Sequence, residues 1–266
     1  IHIIQMLNIL EHFPVREYGA ESADNVHLLV EVAKLAYADR SRHLGDLDFY
    51  DVPIKWLTSK AYAKDLAAGI NMQKARPSTD IAPGTTPNKE SVDTTHFSII
   101  DRDGNMVANT YTLNLSFGSG LSVDGAGFLL NNEMDDFVSK PGVSNAYGLT
   151  GGAANSIEAG KRPLSSMTPT MLFKDGEPVL ATGSPGGSRI IMAVLQMIVN
   201  VIDHGMNISV ASSAPRMHHQ WLPDVIQLEF GFSPDTISEL QRRGHTLQGT
   251  KFTIGSVHSV AWREGY

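Results

Sequence analysis

The chain of 266 residues contains no cysteine. Disulfides, a thiolate nucleophile and a thiolate-bound metal are thereby excluded, and the absence is compatible with any compartment. No apolar run reaches the ~18 residues of a membrane-spanning helix, and no signal peptide is recognisable. A basic block is also missing: 21 Lys and Arg stand against 28 Asp and Glu, a net charge of −7. Nucleic acid is therefore not an expected partner. There is no H-E-x-x-H, and the adjacent His218 and His219 cannot share a helix face, so no metal is expected. The G-x-S-x-G elbow, the Walker lysine and G-x-G-x-x-G are all absent, which leaves a serine-hydrolase elbow or a nucleotide site without support. Internal repeats and low-complexity tracts are lacking too. Residue 1 is an Ile inside an apolar run, so the chain reads as a piece of a longer one.

What is present is a composition 42% hydrophobic, enough for one large core or two modest ones. Ile1 to Phe13 is apolar at helical spacing and closes at Pro14. Ser22 reads as the cap of a helix through Tyr37, and Ser59 as the cap of another over Lys60 to Ile70. Asn71 to Asp93 holds three prolines and a glycine without periodicity, and reads as a linker or a processed segment. Two strands follow, Thr95 to Asp101 and Asn105 to Leu113, joined by Arg102-Asp103-Gly104. A three-residue loop with a left-handed Gly places Thr94 opposite Thr112. Phe128 to Leu130 is expected as a short strand, and Lys140 to Ala154 as a loop or lid. A second hairpin turns over Asp175-Gly176, and a helix apolar on most faces, and so expected to be buried, runs from Arg189 to Asp203. Further elements are a short helix at Val210 to Ala214, a strand at Val225 to Phe230, a helix from Ser233-Pro234 to Gly244, and one or two strands within Phe252 to Trp262.

Several groups could carry chemistry. Thr94 begins a strand after an unpatterned segment. If the chain were cut there, the new α-amine, with a pKa of about 8, would act as base for its own hydroxyl. Thr112 could orient that hydroxyl, yet threonines are also ordinary strand formers. Gly186-Gly187, between a strand and a helix, could present N–H groups to an oxyanion or simply pack helix on sheet. Asn132, Glu133 and Asp136 concentrate acceptors in one turn, suited to an ammonium group or to solvent. Ser165-Ser166 could donate to a carboxylate or form a plain turn. Asn114-Leu115-Ser116 and Asn207-Ile208-Ser209 are chance sequon matches.

Five blocks, in order and at matching spacing, resemble the γ-glutamyltransferase (γ-glutamyltranspeptidase) family of N-terminal nucleophile hydrolases. They are Thr94-Thr95-His96-Phe97-Ser98, Thr110-Tyr111-Thr112-Leu113-Asn114, Leu130 to Phe137, Arg162 to Thr170, and Gly183-Ser184-Pro185-Gly186-Gly187. The resemblance runs over nearly the whole chain. It implies an α+β fold, a four-layer αββα sandwich. Residues 1–93 correspond to the end of a large subunit and 94–266 to the small subunit, both within one structural domain and paired as a heterodimer after self-cleavage at Asp93–Thr94. The front of the large subunit, with an Arg that pairs with the substrate carboxylate, lies outside this correspondence. The implied activity is γ-glutamyl transfer and glutathione hydrolysis, with water, amino acids or peptides as acceptors and no cofactor. By the same match Thr94 is the nucleophile, Thr112 its orienting partner, and Gly186 and Gly187 the oxyanion hole. Asn114, Glu133 and Asp136 would hold the glutamyl α-amino group, and Ser165 and Ser166 its α-carboxylate. Tyr147 would belong to a lid over Pro141 to Gly152. A periplasmic or secreted location is implied as well. Sibling activities on this scaffold are a glutaryl-cephalosporin acylase and a poly-γ-glutamate depolymerase, and a rival of another class is an inactive, truncated binding module.

Overall fold

The computed structural model describes residues 1–81, 94–138, 145, 149 and 151–262. In chain order the elements are α1 His2–Leu10, α2 Ala23–His43, α3 Ile54–Leu57, α4 Lys60–Ala68, β1 Thr94–Ile100, β2 Met106–Thr112, β3 Thr170–Lys174 and β4 Glu177–Gly183. They continue with α5 Ile190–Ile202, α6 Ile208–Ser213, β5 Met217–His218, β6 Ile226–Leu228, α7 Pro234–Arg242, β7 Leu247–Gly249 and β8 His258–Ala261. Side-chain caps explain where four of the helices start. Ser22 accepts from Asn25 N, Ser59 from Tyr62 N, Asn207 from Val210 N and Ser233 from Thr236 N, at 2.9–3.2 Å. Each satisfies an N–H that the helix itself leaves without a partner. Asn207, a sequon asparagine in the sequence, is thus a helix cap.

The chain forms two compact units, each assembled from segments distant in sequence. The first comprises Ile1–Glu90, Met134–Ser165 and Met217–Phe252. Its centre is α2, whose Val26, Leu28, Val30, Val32, Ala33 and Tyr37 are at most 2% exposed. Glu31, Lys34 and Arg40 on the same helix are buried too. Charge inside a core must be paired. The Lys34 ammonium accordingly donates to Glu31 (3.0 Å) and to Arg76 O (2.8 Å), with Asp224 at 3.4 Å. A small sheet pairs β5 antiparallel and β7 parallel to β6.

The second unit comprises Ser91–Glu133, Ser166–Arg216 and Thr253–Tyr266. Here the β1–β2 hairpin lies against a sheet ordered β3-β4-β8, whose other side is covered by α5 and α6. Leu180, Met197 and Ala211 form the apolar centre of that packing. The hairpin reverses the usual alternation. Its covered face carries Thr94, His96 and Ser98, while Phe97, Ile99, Val107 and Tyr111 are 41–57% exposed. The expected strand at Phe128 to Leu130 does not form. Leu129 makes an isolated bridge to Ser122, because left-handed Gly120, Gly125 and Gly127 (φ 72–77°) break the chain into turns around it.

Buried histidines in the first unit couple its stability to pH. His27 Nε2–H donates to Asn71 O (2.9 Å), so its Nδ1 accepts the Nε2–H of His245 at 2.7 Å. Burial pushes the two imidazoles down to about 4 and about 3. His2 and His219 are displaced in the same direction, also chiefly by burial. With folded values below the unfolded value of about 6.5, the unfolded chain takes up protons first as pH falls. The urea midpoint is therefore expected to be flat above that value and to fall towards pH ~4, with a shallower slope in His245→Gln.

Candidate active site

The register of the second unit's hairpin positions Thr94. Gly104 adopts φ 82°, and Asp101 N donates to Asn105 O at 3.0 Å. The Asp101 carboxylate closes the loop by accepting the N–H groups of Asp103 and Asn105, both at 2.9 Å. Counting back from this loop pairs Thr94 with Thr112, the register expected from sequence. The Thr94 hydroxyl donates to Thr112 Oγ1 at 3.2 Å. Thr112 Oγ1 also accepts the N–H of Asn114 at 2.9 Å.

Asn114 lies just beyond β2, 2% exposed and at φ 74°. Asparagine tolerates this left-handed conformation better than most side chains. The bend lets Asn114 Nδ2 donate to Asn132 O (3.2 Å), while Asn132 Oδ1 accepts Leu115 N–H (3.0 Å) and Asn132 N donates to Leu113 O (3.1 Å). The end of β2 is thus laced to the residues that lead into Glu133. Glu133 opens a single 3₁₀ turn, Glu133–Asp136.

His96, two residues on from Thr94 and on the same strand face, is 3% exposed. Ser98 Oγ gives its proton to His258 O (3.0 Å), so it accepts from His96 Nε2–H (2.9 Å). His96 Nδ1 then accepts the Thr110 hydroxyl at 2.7 Å. The ring is neutral, with a pKa lowered by burial and then by His258. It lies flat on Gly183, where an added Cβ would come within 2.2 Å of the ring. Gly183 ends β4 and starts the turn to Gly186 and Gly187. Gly186 has φ 135°, a region closed to other residues, and its missing Cβ would sit 3.2 Å from Gly255 Cα. Ser184 Oγ braces the turn by accepting Ser256 N–H at 2.9 Å. Gly187–Arg189 is a 3₁₀ turn that runs directly into α5. Through His96 and Gly183, the strand of Thr94 is packed against the strand that delivers the glycine pair.

Asp136 and Ser165 belong to the first unit, and Ser166 to the second. The Arg162-Pro163-Leu164-Ser165 segment is anchored by Arg162. Its backbone N–H and its Nε donate to Asp46 Oδ2 at 2.8 and 2.9 Å, and its Nη2 reaches both Asp46 Oδ1 and Asp48. These hydrogen bonds hold the Asp46 carboxyl well below the usual range. Asp46 carries the geometry without standing out in the sequence, since its partner Arg162 is 116 residues away. Tyr147 and the Asp93 side of the expected cleavage bond lie outside the described residues.

The family model described as gamma-glutamyltranspeptidase matches residues 1–266. A glutathione hydrolase proenzyme of Escherichia coli (strain K12) is 55% identical over 260 residues, covering 98% of this chain and 45% of the relative. The chain thus spans about half the length of that relative. A solved mutant of Helicobacter pylori gamma-glutamyltranspeptidase is 56% identical with a TM-score of 0.61, covering 63% of this chain and 90% of the other. The crystal structure of a cephalosporin acylase from Bacillus halodurans, 25% identical, has a TM-score of 0.80 over 98% of this chain and 49% of its own. The α+β class and its αββα arrangement are shared with these solved relatives.

The contact between His96 and Gly183 makes a prediction independent of activity. Gly183→Ala must displace a buried, doubly bonded ring, and is expected to lower stability by about 1–3 kcal/mol, as overpacking does. Urea unfolding measures the loss, and the His96 ring resonances should shift in the variant.

Proposed function

The chain belongs to the gamma-glutamyltranspeptidase family, and from that premise we propose that the protein cuts itself at Asp93–Thr94 and then transfers or hydrolyses γ-glutamyl groups. The observation that carries this reading is the hydrogen bond from the Thr94 hydroxyl to Thr112, at the first residue of β1. Before cleavage the Thr94 nitrogen belongs to a peptide bond and cannot act as a base. After cleavage it is an amine that takes the hydroxyl proton as Oγ1 attacks the γ-carbonyl of glutathione or a related amide. The oxyanion that forms is assigned to the N–H groups of Gly186 and Gly187. Collapse breaks the amide bond, the departing amine takes up the proton, and a γ-glutamyl ester remains on Thr94. Water, an amino acid or a peptide amine then attacks the ester and restores the hydroxyl.

Recognition of the glutamyl group is assigned by chemistry. Carboxylates of Glu133 and Asp136, with the Asn114 amide, suit the α-ammonium group. The hydroxyls of Ser165 and Ser166 suit the α-carboxylate. Residues 1–93 and 94–266 would remain together as large-subunit and small-subunit parts. A location outside the cytoplasm belongs to the same proposal and rests on the likeness to bacterial relatives. No described helix is long and apolar enough to cross a membrane. The cephalosporin acylase likeness favours a second reading, hydrolysis of glutaryl amides. The paired Glu133 and Asp136 weigh against it, because a glutaryl group has no ammonium for them to bind.

Mass spectrometry of the full-length protein should show two chains, the second starting at Thr94, and one uncut chain for Thr94→Ala. An uncut wild-type chain after long incubation would sink the proposal. Thr112→Val is expected to lower kcat by roughly tenfold to a hundredfold, the scale of a misplaced nucleophile, with little change in KM. Turnover of a γ-glutamyl anilide should exceed that of a glutaryl anilide, and the reverse order would favour the acylase reading.

A further inference from the structure

We propose that Asn155 is a positioning residue for γ-glutamyl recognition, tying the segment of Asp136 to the segment of Ser165 through one side-chain amide. The inference rests on the substrate reading above and deepens it. Asn155 ends the 3₁₀ turn Ala153–Asn155 and is 6% exposed. Its Nδ2 donates to the carbonyl of Asp136 at 2.7 Å. Its Oδ1 accepts the N–H of Leu164, the residue before Ser165, at 3.0 Å. The Asn155 carbonyl accepts Val138 N–H at 2.8 Å, so the Asp136 segment is held from both sides of the same residue. An amide is suited to this task because it carries a donor and an acceptor on one planar group.

A second tie runs parallel to the first. Arg40, buried on α2, reaches Ser165 O with Nη2 at 3.5 Å, and its guanidinium acts electrostatically on the Asp136 carboxylate. Asn145 Nδ2 adds a contact of 3.4 Å to Asp136 Oδ1. Arg40, Asp136, Asn155 and Leu164 line one cavity of about 80 Å³. Asn155 and Arg40 thus tie the end of the Asp136 turn to the irregular segment that leads to Ser165. Neither residue need touch substrate. What they determine is where the Asp136 carboxylate and the Ser165 hydroxyl are presented.

The two halves of the amide can be separated. Asn155→Asp keeps the acceptor for Leu164 N–H but loses the donor to Asp136 O, and Asn155→Ala loses both. In the cleaved, full-length protein, KM and kcat are measured for a γ-glutamyl anilide and for a glutaryl anilide, which lacks the ammonium. Asn155→Asp is expected to raise KM about tenfold for the γ-glutamyl substrate, the scale of one lost buried hydrogen bond, and to leave the glutaryl KM nearly unchanged. Asn155→Ala should raise both. Self-cleavage, which depends on Thr94 and Thr112 in the other unit, should proceed at the wild-type rate in Asn155→Asp. Equal changes for both substrates in Asn155→Asp, or a lowered melting temperature with unchanged KM, would overturn the role assigned to Asn155 while the activity stands. A wild-type protein that turns over neither anilide would overturn the substrate reading and this inference with it.

Discussion

The hydrogen bond between Thr94 and Thr112 depends on a register, and the register is set by the loop that the left-handed Gly104 and the Asp101 carboxylate close. A slip of one residue would turn every side chain of β1 to the other face. Thr94 would then lose Thr112, and His96 would leave Gly183. The polar composition of the covered face makes this constraint stringent. In this alignment His96, as its Nε2–H tautomer, is satisfied by Thr110 and Ser98, and Ser98 in turn by His258 O. A buried polar group without its partner costs about 1–3 kcal/mol, so the network selects the register as effectively as an apolar face would.

The same logic governs the first unit. Its central helix buries Glu31, Lys34 and Arg40, and each is met by a group from a remote segment. Asp46 draws in Arg162, and Asn155 joins the short 3₁₀ turn of Asp136 to the irregular segment of Leu164. Irregular backbone near a binding site needs such supports, because its N–H and C=O groups have no ladder to join. Side-chain amides, carboxylates and guanidinium groups supply the missing partners. The residues that would meet substrate therefore stand on a second set that fixes their backbone.

Local physical rules were legible in the chain. Ser22, Ser59 and Ser233 announced their helices, Gly104 announced its loop, and the apolar run of α5 announced a buried helix. Boundaries differ by a few residues: α4 stops at Ala68, with Gly69 as its C-cap, rather than at Ile70, and β6 is three residues long. The short α3, β5 and β7 carry too few residues for a periodic signal. Phe128 to Leu130 is apolar enough for a strand, but the left-handed conformations of the neighbouring glycines prevent one.

For the candidate site, the order and spacing of five blocks were enough to identify the family and to name Thr94, Thr112, Asn114, Glu133, Asp136, Ser165, Ser166, Gly186 and Gly187 as candidates. Hairpin arithmetic alone paired Thr94 with Thr112, because a turn and an alternation of period two are local properties of the chain. Asp46, Asn155, Arg40 and the fit of His96 on Gly183 could not be read that way. Each depends on which distant segment folds against it, and their side chains become distinctive only once burial removes water as an alternative partner.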